Sequence, residues 1–145
     1  MLALLQRVAF ASVDVAGARV AAIGPGLLVF VGVERDDDER RASRLAERVL
    51  GYRVFSDPDG KMNLSVRDTG GEVLLVPQFT LAADTRKGTR ASFTSAAAPA
   101  EGRRLFERLV EEVRRAHPRT ACGVFGAHMR VTLENDGPVT FLLDA

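Results

Sequence analysis

The polar and apolar residues change period along the chain, and the changes mark its elements. Residues 2–11 read as a strand that begins almost at the first residue, and Ser12-Val13-Asp14-Val15 prolongs it with a period of two that puts Val13 and Val15 on one face. Gly17 permits a turn, and residues 19–23 form a short returning strand. Gly24-Pro25-Gly26 is a loop, and residues 27–33 are apolar without interruption, as in a strand covered on both faces. The period then lengthens. Ala42, Leu45, Ala46, Val49 and Leu50 fall on one stripe of an amphipathic helix. Asp36, Asp37, Asp38 and Glu39 stand at its head, where the helix dipole favours negative charge, and Gly51 closes it.

Residues 52–55 predict a further strand, and Ser56-Asp57-Pro58-Asp59-Gly60 a turn. Residues 72–76 predict a second doubly covered strand, which runs into Pro77-Gln78-Phe79-Thr80-Leu81. Residues 82–98 are loop-like, and Pro99 opens a second amphipathic helix, where proline fits the first turn. Leu105, Phe106, Leu109, Val110 and Val113 form its inner face, and His117-Pro118 ends it. Its outer face mixes Arg103, Arg104, Arg108, Arg114 and Arg115 with Glu107, Glu111 and Glu112, the pattern of a solvated surface.

The last segment, residues 128–143, has two apolar runs, 129–133 and 139–143, around Asn135-Asp136-Gly137-Pro138. Asp-Gly between such runs predicts a sharp turn and a hairpin. Pro138 is the unusual choice, because it removes a backbone donor where a returning strand needs one. An X–Pro bond favours trans by only about 0.5–1 kcal/mol, and a Gly-Pro rim exposes carbonyl oxygens that can reject a ligand by shape. On spacing alone, a surface hairpin with a tolerated proline accounts for the same residues. The whole pattern predicts one mixed α/β sheet domain over residues 1–145, with the two amphipathic helices packed on one side.

Composition narrows the function classes. The 145 residues are 46% apolar and 27% charged, ordinary values for a globular domain. A formal net charge of +1 gives no global attraction to nucleic acid, so any RNA contact must come from a local patch such as Arg86, Lys87 and Arg90. One cysteine, Cys122, excludes an internal disulfide and a multi-cysteine zinc site, and it fits a reducing compartment. The apolar start, Met1 to Leu5, lacks a basic segment before it and is too short for a signal peptide. No stretch approaches the roughly 18 apolar residues of a membrane span. These features predict a cytoplasmic enzyme or binding domain.

Familiar nucleophile systems are absent. The two histidines, His117 and His128, accompany no G-x-S-x-G elbow and no metal-ligand spacing. Three adjacent acids on a helix point in three directions, so Asp36-Asp37-Asp38 is no metal site, and Cys122 reads as a small core residue. Without a metal or cofactor, catalysis by this chain would rest on backbone donors and a hydroxyl set around a bond that is already labile.

Pro77-Gln78-Phe79-Thr80-Leu81 together with Asn135-Asp136-Gly137-Pro138-Val139-Thr140 resembles the motif pair of the D-aminoacyl-tRNA deacylases, or D-Tyr-tRNA deacylases. The likeness continues through Gln6-Arg7-Val8, Gly26-Leu27-Leu28-Val29, Arg48-Val49-Leu50-Gly51-Tyr52-Arg53, Gly60-Lys61-Met62-Asn63-Leu64 and Leu81-Ala82-Ala83-Asp84. It covers nearly the full chain in matching order, and two paired motifs with their flanks are far more specific than either motif alone.

The resemblance implies a barrel-like domain that forms a homodimer with active sites at the subunit interface, acts on aminoacyl-tRNA, and uses no cofactor, DNA or membrane. It implies that Gln78, Phe79 and Thr80 hold the 3′-terminal adenosine and carry the hydrolysis of its carboxylic ester. Backbone N–H groups near Phe79 and Thr80 would form an oxyanion hole. Thr80 would either position a water activated by the ribose 2′-OH or itself attack, although no base adjoins it. Gly137 and Pro138, cis in the family, would enter from the partner subunit and fill the space an L side chain needs. D-residues and glycine are then accepted without any contact to the side chain. Asn135 and Val139 would flank this selector, Arg7 would brace it through its carbonyls, and Arg86, Lys87 and Arg90 would touch tRNA phosphates.

One position departs from the family pattern, which usually reads Ser-Gln-Phe-Thr where this chain has Pro77. A sister group that clears L-alanine from tRNA also has proline there but differs around the second motif, whereas this chain keeps Gly-Pro-Val-Thr. Three alternatives follow: a deacylase of relaxed chirality that clears L-Ala-tRNA, a non-catalytic module that binds tRNA ends, and an interaction domain whose Gly-Pro hairpin merely closes a sheet edge.

Overall fold

The computed structural model describes residues 1–145. The chain forms β1 (Leu2–Val15), β2 (Ala18–Ile23), β3 (Gly26–Gly32), α1 (Glu39–Gly51), β4 (Phe55–Ser56), β5 (Met62–Leu64), α2 (Val66–Thr69) and β6 (Glu72–Pro77). A 3-10 turn (Phe79–Ala82), α3 (Pro99–Ala116), β7 (Thr120–Cys122) and β8 (Met129–Asp144) complete it.

The long strand β1 receives a neighbour on each edge. Along one edge lie β3, antiparallel from Leu2↔Gly32 to Val8↔Gly26, and then β2, from Ala11↔Ile23 to Val15↔Ala18. Ala16 and Gly17, with φ of 50° and 80°, reverse the chain between β1 and β2. β6 extends the sheet parallel to β3, and β7 lies parallel to β6. Gly26 admits this contact, because a Cβ there would stand 1.9 Å from the Glu72 carbonyl oxygen. β8 occupies the other edge of β1.

The sheet curls into a nearly closed barrel and carries a core on each face. Ala3, Leu5, Leu27, Val29, Val31, Val73 and Leu75 face the helices. Val8, Ala11, Val13, Leu28, Leu74 and Val76 fill the inside of the curl. β3 and β6 thus contribute to both cores, which is why their sequences are apolar without a break. In β1 the inward positions change from even to odd numbers between Val8 and Ala11. The pairing with β8 shifts register there, and an extra residue in a strand moves every later side chain to the opposite face.

The amphipathic helices pack together on the outer face, as their stripes predict. Ala42, Leu45, Ala46, Val49 and Leu50 of α1 are buried, as are Leu105, Phe106, Leu109, Val110 and Val113 of α3. Cys122 packs against the same core. The acids before α1 divide their work. Asp38 caps the helix by accepting from the Arg41 N–H, whereas Asp37 is buried and ion-paired with the Met1 ammonium at 2.8 Å.

The predicted C-terminal hairpin does not form. Both apolar runs lie in the single strand β8 and pair with β1, from Val15↔Met129 to Phe10↔Glu134 and again from Gln6↔Thr140 to Leu2↔Asp144. Residues 136–139 face only Arg7 and bulge from the ladder. At 14 residues, β1 is long enough to give both runs a partner, so they need not pair with each other. A proline without an N–H is readily accommodated in such a bulge. The predicted strand at 52–55 is also shorter than expected. Only Phe55–Ser56 pairs, with β5, while Val54 is buried and Tyr52 is the C-cap of α1. β5, α2, β7 and the 3-10 turn are additions to the predicted elements.

Candidate active site

The bulge in β8 is tied down on several sides. Gly137–Pro138 is a cis peptide bond, and Gly137 has φ 140°. The Asn135 Oδ1 accepts from the Val139 N–H at 2.8 Å, and its Nδ2 donates to the Thr140 hydroxyl at 2.9 Å. Gln6 donates to the same hydroxyl at 3.1 Å. Arg7 spans from β1, its Nε donating to the Asp136 carbonyl at 3.0 Å and its Nη1 to the Val54 carbonyl at 2.6 Å. Val139 is buried in the helix-side core and anchors the far end. Gly137 and Pro138 themselves are exposed.

The second motif lies where β6 gives way to the 3-10 turn. Pro77 is the last residue of β6, opposite Val31, and Gln78 makes the closing bond from its N–H to the Val31 carbonyl at 2.7 Å. A strand end tolerates the missing proline donor. The N–H groups of Phe79 and Thr80 open the turn, a place where helical geometry offers no partner. Neither donates in any turn, loop or cap bond, and no side chain caps the turn. The Gln78 amide donates to the Thr80 Oγ1. The Thr80 hydroxyl is exposed, and neither a carboxylate nor an imidazole is bonded to it.

A cavity of about 440 Å³ opens beside this turn. It is lined by Gln78 and Phe79, by Phe106 of α3, and by Phe125, His128 and Met129. Phe106 and Phe125 are 6.2 Å apart between ring centroids, and the Arg103 guanidinium lies over Phe125 at 4.9 Å. A mostly apolar cavity of this size with a few polar groups in its lining suits an aromatic ring system. Phe125, His128 and Met129 were not singled out by sequence as site residues. Phe125 and His128 lie between β7 and β8 and Met129 begins β8, and only the curl of the sheet carries them to β6.

The two motifs are not joined within one chain. None of residues 135–140 lines the cavity, and no hydrogen bond links them to residues 77–81. The predicted basic patch also divides. The Arg86 fork grips the Asp84 carboxylate at 2.9 and 2.7 Å, holding that carboxyl well below the usual carboxylate range and raising Arg86 above its own ordinary value. Arg86 is therefore occupied, while Lys87 and Arg90 are exposed and form no ion pair.

Residues 4–144 match the family model described as D-Tyr-tRNA(Tyr) deacylase. The D-aminoacyl-tRNA deacylase of Thioalkalivibrio sulfidiphilus is 62% identical over 144 residues, 99% of this chain and 97% of that one. That of Azotobacter vinelandii is 61% identical over 145 residues, the whole of both chains. Among solved structures, the c-Myc DNA unwinding element binding protein superposes with a TM-score of 0.96 at 36% identity, over 100% of this chain and 99% of that one. A probable eukaryotic D-amino acid tRNA deacylase shares the fold, with a TM-score of 0.87 at 20% identity over 99% and 98% of the two chains.

Proposed function

The chain belongs to the D-Tyr-tRNA(Tyr) deacylase family, and we propose that it hydrolyses the ester between a D-amino acid, or glycine, and the 3′-terminal adenosine of tRNA. The observation that carries the reading is the placement of Gly137 and Pro138: braced by Arg7 and Asn135, exposed, and outside the cavity beside Gln78 and Thr80. A selector so placed acts on a substrate held by another copy of the chain. The active unit is then a homodimer in which each subunit lends its bulge to its partner's cavity. β8 supports this, since it pairs only with β1 and leaves its other edge open.

In this reading the adenine lies in the cavity between Phe79, Phe106 and Phe125 and the ester carbonyl faces the unpartnered N–H groups of Phe79 and Thr80. Charge that develops on the carbonyl oxygen is stabilised by about 3–4 kcal/mol per well-placed donor. The Gln78 amide occupies one acceptor site of the Thr80 hydroxyl and turns its proton outward, towards a water or the ribose 2′-OH. With no base beside it, Thr80 positions the attacking water rather than attacking itself. Pro77 offers neither a hydroxyl nor an N–H, so the chemistry runs without a side-chain donor at that position. The carbonyls of the partner's bulge then occupy the room an L side chain requires, while a D side chain or a hydrogen points away.

Incubating the purified protein with D-Tyr-tRNA, L-Tyr-tRNA and Gly-tRNA tests this. Release of D-tyrosine and glycine, with L-tyrosine retained, is expected. Equal release of both tyrosines would establish relaxed chirality, and binding without release a tRNA-end module.

A further inference from the structure

Two large aromatic side chains stand out of the surface beside the candidate site. Phe79 is 62% exposed and Phe93 46% exposed, and their rings are 5.2 Å apart at a 42° tilt. Phe79 forms a wall of the cavity, whereas Phe93 does not line it, so Phe79 stands between the cavity and Phe93. Phe93 is held in place by the feet of its loop. Asp84 and Ser92 exchange backbone bonds at 2.8 and 3.0 Å, and the Ser95 carbonyl accepts from the Arg35 N–H at 2.9 Å. Between those feet the loop carries Lys87 and Arg90, exposed and free of ion pairs.

Exposed aromatic faces served by a loop with unpaired cations are a surface that single-stranded nucleic acid takes, by stacking a base and neutralising a phosphate along the strand. Resting on the deacylase reading, we propose that Phe93 is a stacking station for the nucleotide on the 5′ side of the terminal adenosine, with Lys87 and Arg90 on its phosphates. A nucleoside seated in the cavity leads its 5′ neighbour past the edge of Phe79 and onto the Phe93 ring. A second copy of this chain would also cover apolar rings, but it would have to desolvate the two unpaired cations of the same loop, which RNA phosphates neutralise.

The test compares Phe93→Ala and Phe93→Tyr on D-Tyr-tRNA and on the D-tyrosyl ester of adenosine alone, which has no 5′ neighbour. Phe93→Ala is expected to raise KM for the tRNA on the order of tenfold, with kcat and the small ester unaffected, and Phe93→Tyr to restore the wild-type KM. Unchanged KM for the tRNA, an equal loss on both esters, or a change of oligomeric state in sedimentation would each overturn the proposal. A wild-type chain idle on both esters would overturn the deacylase reading itself and this proposal with it.

Discussion

Arg7 and Asp136 are joined across β1 and β8: the guanidinium Nε donates to the Asp136 carbonyl at 3.0 Å and stands 3.5 Å from its carboxylate. A second arm of the same guanidinium reaches the Val54 carbonyl at 2.6 Å. Arg7 thus fastens the bulge both to the central strand and to the chain that leaves α1. Lysine cannot make both bonds in the same geometry. Arg7→Lys is expected to lose about 1.5–3 kcal/mol of hydrogen bonding to a charged group. Deacylation of D-Tyr-tRNA should fall by about tenfold or more while far-UV circular dichroism stays unchanged. Wild-type kcat/KM in this variant would show that the bulge does not depend on Arg7.

Gly137 has the backbone and the surroundings of an obligatory glycine. At φ 140° an added Cβ would lie 2.7 Å from Val139 Cγ2 and 3.1 Å from Arg7 Nη2. Gly137→Ala should therefore cost about 1–3 kcal/mol of local strain and displace the carbonyls of the bulge. The ratio of D- to L-Tyr-tRNA hydrolysis is expected to collapse, read by acid-gel assay of both substrates. An unaltered ratio would remove the bulge from chiral selection.

The proposed cross-subunit assembly has its own signature. Gly137→Phe chains, whose ring would fill the room the substrate needs, and Thr80→Val chains should each be inactive as homodimers. Mixed and re-equilibrated, they form heterodimers in which one of the two sites has both residues intact. Recovery of about a quarter of wild-type activity is expected for random pairing in a twofold dimer. No recovery, with heterodimers confirmed by native mass spectrometry, would place both residues of one site in one chain.

Asp37 and Met1 form an ion pair with no side-chain exposure on either partner. Asp37 also accepts from the Glu34 N–H at 2.6 Å, and Glu34 itself reaches the Met1 ammonium at 3.0 Å. Removing one partner of a buried pair costs about 3–5 kcal/mol. Asp37→Asn keeps the size and part of the bonding, so a loss near the lower end, about 3 kcal/mol, is expected in urea unfolding. A midpoint equal to that of the wild type would show that Glu34 alone suffices.

Local patterns proved legible where a residue's environment follows from its near neighbours. The stripes of α1 and α3 are buried residue for residue, because a helix has one period and one apolar face. The unbroken apolar runs of β3 and β6 face two cores. Asp57 accepts from the N–H groups of Asp59 and Lys61, the turn its spacing predicts. The Asn135–Val139 stretch was visible as unusual and yet misjudged in shape. Asp-Gly between two apolar runs specifies only that the chain departs from a regular strand, and the partner decides whether it becomes a hairpin or a bulge. Arg86 looked like a free cation until Asp84 was seen to hold it.

The sequence by itself determined the periods, the two helices, the doubly covered strands and the residues of both motifs, since each depends on covalent spacing and side-chain type. Only the tertiary structure decided that β1 serves both halves of β8, that Phe125, His128 and Met129 wall the cavity, and that Gly137 and Pro138 stand apart from Gln78 and Thr80. Those relations are set by strand register and by the curl of the sheet. Register and curl come from packing between residues far apart in the chain, and no local pattern records them.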